Sequence, residues 1–301
     1  MTAIVLESGA ARLEVAVLGA EARRWSVGGV DLLWPGDAAI WADISPILFP
    51  IVGWPRDGIR VDGRRYPLGV HGFARHMTFE VFARSSDRVR LMLSNDRATL
   101  ALYPFPFQFA VDYRLGPETL SIGLEIENSG DAPLPYACGL HPGFRWPVQG
   151  DRRDGAIVRF AAQESGEVPV IAPGGLISPS RRKLQFSGRD LPLSDELFER
   201  EALCFLNPVS RSLAFVMAGG ATIEMDFSGF AHCALWSRPG APFLSLEAWT
   251  GYGDPEGFSG ELREKPGISL LAPGEKARRD AVFKFSRSGA YSAAAPARIA
   301  S

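Results

Sequence analysis

The stretch TLSIGLEIENSG, residues 119–130, decides the fold class of this chain. Apolar residues alternate with polar or small ones along it, so the two sets face opposite sides of an extended strand. The apolar set is Leu120, Ile122, Leu124 and Ile126, and the other set is Ser121, Gly123, Glu125 and Glu127. Such a period of two is typical of a half-buried β-strand, and the Ser-Gly pair that follows predicts a turn.

The same alternation recurs along the chain. It is found in RLEVAV (12–17), RVRLMLSND (88–96), FQFAVDYRL (107–115), ATIEMDF (221–227) and DAVFKF (280–285). A helical period is hard to find, and the best candidate is LSDELFERE (193–201), where Ser194 or Asp195 could cap one or two turns. Short strands with 32 Gly and 23 Pro in the chain indicate an all-β sandwich or barrel, mostly antiparallel, with very little helix. We predict one domain over residues 1–285 and a flexible C-terminal tail over residues 286–301.

Composition excludes several classes of partner. The 301 residues carry a formal net charge of -2, which provides no basic field for nucleic acid. There is no basic start followed by an apolar core, and no apolar run approaches the ~20 residues of a membrane helix, so we expect a cytoplasmic protein without membrane contact. The three cysteines, Cys138, Cys204 and Cys233, are far apart in apolar surroundings, which favours buried small side chains over disulfides or a zinc site.

The stretch APFLSLEAWTGYGDP (241–255) contains the first candidate site residues. In a strand, Leu244, Leu246 and Ala248 share one face and belong in a core. The opposite face then carries Glu247 beside Trp249, a carboxylate next to an aromatic plate, which suits a bound sugar. The alternative is an exposed outer face on which Trp249 covers a neighbouring strand.

A second candidate is His141 in LPYACGLHPGFRWP (134–147). Ala137 and Gly139 share its strand face and leave space in front of the imidazole. The Pro-Gly pair that follows ends the strand, and strand ends commonly carry function. A surface histidine or a satisfied core histidine is the alternative.

The third candidate is YPLGVHGFARHMTFEV (66–81). If it is extended, His71, Phe73 and Arg75 project together and suit a polyhydroxylated ligand, because a guanidinium donates paired hydrogen bonds. A turn with an Arg-carboxylate pair would look the same. His71, His141 and Glu247 could also bind a metal, but phosphate loops, nucleophile elbows and Cys/His metal spacings are absent from the sequence, so we predict neither metal nor cofactor.

Taken in order, five motifs resemble the aldose 1-epimerase (galactose mutarotase-like) family, particularly its bacterial LacX-like branch. They are FPIVGWPRDG (49–58), HGFAR (71–75), HPGF (141–144), DELFEREALCF (195–205) and LEAWTGYGDP (246–255). The resemblance implies a large antiparallel β-supersandwich with an open cleft for a pyranose. It also implies mutarotation, the interconversion of α- and β-anomers through the open-chain aldehyde, without a cofactor.

The resemblance implies a role for several residues. Glu247 matches the family's catalytic base and His141 its acid, while His71 matches a second histidine that binds sugar hydroxyls and Arg75 follows it in the same motif. The sequence also departs from the family pattern. Trp54 stands where relatives of this branch usually have Arg, and Arg56, two residues later, is the candidate replacement. Arg145 follows HPGF and could favour an acidic or phosphorylated sugar.

Three functions follow from these observations. The leading one is an aldose 1-epimerase acting on a free aldohexose. The second keeps the reaction but takes a hexose 6-phosphate or a sugar acid, held by Arg56, Arg75 or Arg145. The third is a carbohydrate-binding protein without turnover. A small-molecule sugar is the expected partner in each case, and both a monomer and a homodimer are compatible with the sequence.

Overall fold

The computed structural model describes residues 3–287 and consists of 49% strand and 6% helix. The strands, in chain order, are β1 Ala3–Ser8, β2 Ala11–Ala16, β3 Ala22–Val27, β4 Val30–Asp31, β5 Ile47–Leu48, β6 Ile59–Val61, β7 Arg64–Tyr66, β8 Glu80–Arg84, β9 Arg88–Ser94, β10 Phe107–Leu115, β11 Thr119–Asn128, β12 Leu134–Tyr136, β13 Gly139–Leu140, β14 Gly143–Arg145, β15 Ile157–Phe160, β16 Glu167–Ala172, β17 Leu176–Lys183, β18 Asp190–Pro192, β19 Leu203–Leu206, β20 Ser212–Val216, β21 Ala221–Asp226, β22 His232–Trp236, β23 Phe243–Trp249, β24 Ser269–Leu271 and β25 Lys276–Arg287. The helical elements are α1 Arg97–Leu102 and the 3-10 turns Ala74–His76, Asp195–Phe198 and Leu262–Glu264.

Two large sheets dominate the fold. The larger one has nine strands in the order β18-β15-β20-β21-β25-β11-β10-β9-β8. The second has the order β19-β22-β23-β13-β5, and β14 also pairs with β23. The first four strands form a sheet of their own, and the smaller pairs are β12-β24, β16-β17 and β6-β7. Neighbouring strands in both large sheets run antiparallel, which confirms the predicted antiparallel all-β fold.

The alternating stretch that decided the fold class forms β11, in the middle of the nine-stranded sheet between β10 and β25. Its apolar residues are at most 2% exposed: Leu120, Ile122, Leu124 and Ile126. Burying each such side chain contributes roughly 1.5–3 kcal/mol relative to leaving it exposed. Because side chains alternate with a period of two, a shift of the register by one residue would move this set to the outer face.

The main core lies between the two large sheets. The ring of Phe49, which follows β5, stacks on Phe109 of β10 with 4.4 Å between ring centroids. Phe144 of β14 packs on Phe283 of β25 with 5.4 Å between centroids. Since these contacts join the inner faces of the two sheets within one hydrophobic cluster, the predicted β-sandwich is confirmed.

The helical elements differ in part from expectation. The LSDELFERE stretch forms a single 3-10 turn at Asp195–Phe198, in line with the one or two turns predicted. Helix α1 was not predicted. Asp96 caps it by accepting from the backbone N–H of Thr99 at 2.7 Å, and the Thr99 hydroxyl accepts from the backbone N–H of Asp96 at 2.8 Å. This reciprocal cap is the signal in the sequence that could have indicated the helix.

The remaining sequence predictions concern burial and boundaries. All three cysteines are buried, as predicted, and none forms a disulfide among the described residues. Within residues 3–287, none of the helical segments has the length and apolar character needed to cross a bilayer.

The assignment of residues 1–285 to one domain stays a prediction. β25 includes Ser286 and Arg287, and the rest of the predicted tail lies outside the described residues.

Candidate active site

The candidate site is built on β23, which lies between β22 on one side and β13 and β14 on the other. Leu244, Leu246 and Ala248 point into the main core, as predicted. Glu247 and Trp249 point the other way, into a cleft. Unlike the outer face considered as an alternative, this face is enclosed, since every residue of β23 is buried.

A cleft of about 560 Å³ opens over this second face of β23. Its size lies within the ~300–1,000 Å³ typical of small-molecule sites. The predicted site residues that line it are His71, Arg75, His141, Glu247 and Trp249. Residues that the sequence did not indicate as site residues line it too, among them Trp41, Asp43, Trp54, Trp236 and Arg238.

His141 and Glu247 meet because β13 and β14 pair with β23 in a register that sets the two residues opposite one another. β13 ends at Leu140 and β14 begins at Gly143, and both pair with β23, so His141 lies opposite Glu247. Nε2 of His141 is 3.2 Å from Oε2 of Glu247. An acid and a base therefore lie in direct contact in the cleft, within reach of one another's proton.

Ser245 holds the other nitrogen of the His141 ring. The hydroxyl oxygen of Ser245 lies 2.9 Å from Nδ1 of His141, and this hydroxyl donates to the carbonyl of Pro142 at 3.0 Å. With the hydroxyl proton directed at that carbonyl, the oxygen accepts from Nδ1–H. Nε2 then faces Glu247 as an acceptor, which suits a protonated carboxyl at Glu247.

Burial drives the two pKa values of this pair apart. Glu247 is 1% exposed, and its burial raises its pKa well above the ordinary value. The indole N–H of Trp249 acts in the opposite direction, but more weakly. For His141, burial together with the charge of Arg75 lowers the pKa to about 3. Burial therefore favours the neutral form of each group, a protonated carboxyl at Glu247 and an uncharged imidazole at His141.

His71 is fixed at the edge of the same cleft. Its Nδ1 accepts a hydrogen bond from the backbone N–H of Gly53 at 3.1 Å, which leaves the proton on Nε2 as a donor. The ring meets that of His141 edge-on, with 5.5 Å between centroids. Burial, and then the charges of His141, Arg75 and Lys265, lower the pKa of His71 well below its ordinary value. His71 is therefore a neutral donor.

A buried ion pair anchors the segment that holds His71. Nζ of Lys265 is 3.1 Å from Oδ1 of Asp254, and both residues are at most 5% exposed. Oδ2 of Asp254 accepts from the backbone N–H of Arg56 at 2.8 Å, and the backbone N–H of Asp254 donates to the carbonyl of Trp54 at 2.8 Å. Because Gly53 immediately precedes this segment, the ion pair fixes the donor that orients His71. No motif or alternation in the sequence indicated Lys265.

Two tryptophans form an aromatic wall around His141. The ring centroid of Trp41 lies 5.1 Å from that of His141, and the centroid of Trp236 lies 5.6 Å from it. Trp41 also stacks on Phe243 at 5.2 Å. A Cβ at Gly143 would lie 2.7 Å from the Trp41 ring, so glycine is needed there. This wall covers part of the imidazole with apolar surface, and a lower local dielectric strengthens electrostatic interactions.

Trp249 forms the floor of the cleft beside Glu247. A Cβ at Gly139 would lie 2.7 Å from Cδ1 of its indole. The space that Gly139 was expected to leave in front of His141 is therefore filled by this ring. Across the sheet, Glu247 pairs with Ala234, and its side chain lines the cleft while remaining almost fully enclosed.

Both hypotheses for the HGFAR stretch, a ligand-binding face and a turn with an Arg-carboxylate pair, apply to Arg75. It lines the cleft, and it also forms an Arg-carboxylate pair, with 3.2 Å between Nη1 and Oδ2 of Asp43. Its guanidinium further donates to the carbonyl of Val70 at 3.4 Å and to Nε2 of His76 at 3.1 Å. These contacts fix the group at the cleft wall.

Phe73 requires a correction, because it does not share a face with His71. The backbone of His71 has φ 61° and that of Gly72 has φ 72°, and a 3-10 turn follows at Ala74–His76, so the stretch is not extended. Phe73 turns into the main core, where it stacks on Phe107 with 5.9 Å between centroids. It is a core residue and not a sugar contact.

Arg56 and Arg145 also lie away from the cleft. Arg56 is exposed and lines a separate surface depression together with Arg60 and Arg65. Arg145 belongs to β14 and is absent from the residues that line the cleft. Of the three arginines considered as a clamp for an anionic sugar, Arg75 alone lines the cleft. Arg238 lines the cleft instead, from the loop between β22 and β23.

The possibility of a metal centre concerned His71, His141 and Glu247. Within the part of the chain that the structure describes, no group of three or more His, Cys, Asp or Glu side chains is arranged to hold a metal ion. Instead, Nδ1 of each of the two histidines is engaged by a protein group, the N–H of Gly53 and the hydroxyl of Ser245.

Comparisons with known proteins agree with this architecture. The protein LacX (chromosomal) of Lactococcus lactis subsp. lactis is 28% identical over 257 residues, which cover 81% of this chain and 86% of that protein. A galactose mutarotase-like protein from Lactobacillus casei matches with a TM-score of 0.87 and 25% identity, over 95% of this chain and 100% of that one. A galactose mutarotase related enzyme from Lactobacillus acidophilus also has a TM-score of 0.87, with 23% identity over 96% of this chain and 98% of that one. The sequence profile of the aldose 1-epimerase family matches residues 2–280, and the chain therefore belongs to that family.

Proposed function

We propose that this protein is a mutarotase that interconverts the α- and β-anomers of a free aldohexose by acid/base-catalysed ring opening. The observation that carries the proposal is the contact between His141 and Glu247, 3.2 Å from Nε2 to Oε2, in a cleft walled by tryptophans. A carbohydrate-binding protein needs aromatic surfaces and hydrogen bonds, but it does not need a buried acid and base in contact.

The reaction requires two proton transfers at adjacent oxygens. The hydroxyl oxygen O1 and the ring oxygen O5 are both bonded to C1, so the two catalytic groups must lie close together. As the bond between C1 and O5 breaks, O1 loses its proton and O5 gains one, which gives the aldehyde. Rotation of the aldehyde about the bond between C1 and C2, followed by the reverse transfers, closes the other anomer.

The pair can return to its starting state without outside protons. With Glu247 as base and His141 as acid, opening moves one proton from O1 to the carboxylate and one from the imidazolium to O5. Closure reverses both steps. The pair thus alternates between an ion pair and a neutral pair, each with zero net charge and the same single proton. Positioned proton transfer of this kind contributes about 10²–10⁴-fold per group.

The surrounding side chains have binding roles in this proposal. The Nε2–H of His71 donates to a sugar hydroxyl, because its Nδ1 is occupied by the N–H of Gly53. Arg75 is fixed at the wall as a second donor, by its pairing with Asp43. The indole of Trp249 lies beside Glu247 and offers an apolar surface to the C–H face of the pyranose.

A phosphorylated or acidic sugar remains the alternative substrate class. It gains little support from the arginines expected to hold the anion, since Arg56 and Arg145 do not line the cleft. Arg75 and Arg238 do line it, but the charge of Arg75 is already paired with that of Asp43, and Arg238 is an exposed residue of the loop between β22 and β23. A free hexose, which needs hydroxyl contacts and no anion clamp, therefore fits the site better.

Exchange spectroscopy tests the proposal and the substrate class together. Saturation transfer between the α and β anomeric protons should show protein-dependent exchange for glucose or galactose. Parallel samples with glucose 6-phosphate and glucuronate test the alternative. Faster exchange for a charged sugar than for both free hexoses would overturn the assignment of the substrate. Binding of a hexose without any accelerated exchange would support the non-catalytic alternative.

A further inference from the structure

Trp54 is a large aromatic residue at the rim of the cleft that the proposed reaction does not use. Its side chain is 49% exposed, although it lines the cleft together with Glu247 and Trp249. Most exposed apolar residues of a soluble protein stand alone, whereas this one continues an apolar surface into a binding site.

The structure holds the Trp54 indole in place although it is half exposed. One face rests on Gly175, in the turn between β16 and β17, where a Cβ would lie 1.8 Å from Cδ1 of the indole. Gly175 also has φ +74°, so the turn favours glycine. The carbonyl of Trp54 accepts a hydrogen bond from the backbone N–H of Asp254. The preceding residue, Gly53, packs so closely on Gly253 that a Cβ at position 53 would lie 2.4 Å from the Gly253 nitrogen. A fixed ring loses little entropy on binding.

An apolar strip connects Trp54 with the centre of the cleft. Ile171 and Ile177 are direct cross-strand partners in β16 and β17, and both line the cleft. Both are partly buried and pack against the hydrophobic cluster that contains Trp249. The cleft, at about 560 Å³, thus continues from the catalytic pair past these side chains to Trp54, and a single hexopyranose is smaller than the drug-sized ligands that such volumes enclose.

We propose that Trp54 forms a second glycosyl subsite, so that the aldohexose ring at the catalytic pair is bound more tightly when it is the reducing end of a disaccharide or longer saccharide. This inference rests on the proposed function. The reducing ring lies at Glu247 and His141, and the next ring packs its C–H face on the indole of Trp54. Because the reaction needs a free hydroxyl at C1, the additional group must be attached elsewhere on the reducing ring. A sugar ring fits a half-exposed indole, since its hydroxyl rim stays in water while one face packs.

Calorimetric binding tests the subsite separately from turnover. In the Glu247→Gln background, we would measure the Kd of maltose, cellobiose and lactose and compare each with glucose and galactose. At least one disaccharide should bind about five- to tenfold more tightly than its monosaccharide, as expected for one aromatic contact. Adding Trp54→Ala should bring that ratio to near one, and Trp54→Phe should preserve most of it. Adding Phe82→Ala, an exposed aromatic on β8, should leave the ratio unchanged.

The outcomes separate the subsite from the proposed reaction. If no disaccharide binds more tightly than its monosaccharide, or if Trp54→Ala weakens both equally, the subsite is wrong even when hexoses turn over. If the Trp54-dependent preference is present while wild-type protein accelerates no anomeric exchange, the subsite stands and the mutarotase proposal fails.

Discussion

The carboxyl of Glu247 and the imidazole of His141 lie 3.2 Å apart, and burial moves their pKa values in opposite directions. A protonated Glu247 and a neutral His141 carry no net charge, which lowers the cost of enclosing both groups. The same pair can become an ion pair without gaining or losing a proton. In the proposed reaction, the hydroxyls of the bound sugar would supply the hydrogen bonds that favour this charged form.

The activity should stay constant over a wide range of pH. The lowered pKa of His141, about 3, keeps the pair from binding a second proton until strongly acidic pH. The raised pKa of Glu247 moves the loss of the single proton well above the pH at which an ordinary Glu loses its own. The kcat/KM, measured by anomeric exchange and corrected for solvent catalysis, should therefore form a plateau that extends from strongly acidic pH past the ordinary titration range of Glu. A narrow maximum between the ordinary values of ~4.3 for Glu and ~6.5 for His would contradict this account.

Glu247→Gln should stabilise the fold at neutral and alkaline pH. A carboxyl whose pKa is raised on folding contributes fully below its unfolded pKa, and that contribution is lost as pH rises toward the folded pKa. Glutamine keeps the shape without this loss. The variant's advantage in free energy of unfolding should therefore grow above pH ~4.3, by at most ~1.4 kcal/mol per pH unit. Urea unfolding at pH 4 and pH 8 measures it, and an equal difference at both values would refute the prediction.

His71→Ala should mainly weaken sugar binding. It removes the Nε2–H that donates to the substrate, and a neutral hydrogen bond of ~0.5–1.5 kcal/mol corresponds to roughly a 2- to 13-fold rise in KM. The kcat should change less, because His71 transfers no proton in the proposed cycle. Steady-state exchange rates at several sugar concentrations separate the two constants. A fall in kcat with an unchanged KM would instead place His71 in the chemical step.

Lys265→Met should destabilise the protein by about 3–5 kcal/mol, because the buried carboxylate of Asp254 loses its partner. The double variant Lys265→Met/Asp254→Leu should recover part of that loss, since it buries no unpaired charge. Denaturant unfolding of both variants provides the measurement. A single variant within 1 kcal/mol of wild type would show that the pair does not hold the loop together.

The sequence predicted the strands better than the site. Alternation located β10 and β11 because apolar residues with a period of two have one stable arrangement against a core. Helix α1 was missed because its cap, Asp96 with Thr99, directly follows the alternating stretch that forms β9. Phe73 was misplaced because alternation was assumed where His71 and Gly72 adopt positive φ, a feature that no side-chain pattern reveals.

The positions of the site residues were also only partly predictable from side-chain patterns in the sequence. Glu247 and Trp249 could be assigned to one face from β23 alone, whereas their position beside His141 was implied only by the family resemblance. Trp41 and Trp236 reach the imidazole from an irregular segment and from a separate strand, so spacing in the sequence gives no sign of them. The Lys265–Asp254 pair and the separation of Arg56 from the cleft likewise depend on how loops pack, which sequence patterns do not encode.

The measurement that tests the central claim most directly is the optical rotation of freshly dissolved α-D-glucose and α-D-galactose. It is followed with wild-type protein, with Glu247→Gln, and with Glu224→Gln as the matched control, since Glu224 is exposed on β21 in the other large sheet. Wild type and Glu224→Gln should accelerate the approach to equilibrium equally for at least one sugar. Glu247→Gln should be slower by about 10²–10⁴-fold. A Glu247→Gln variant as fast as wild type would contradict the proposal that the carboxyl moves the proton.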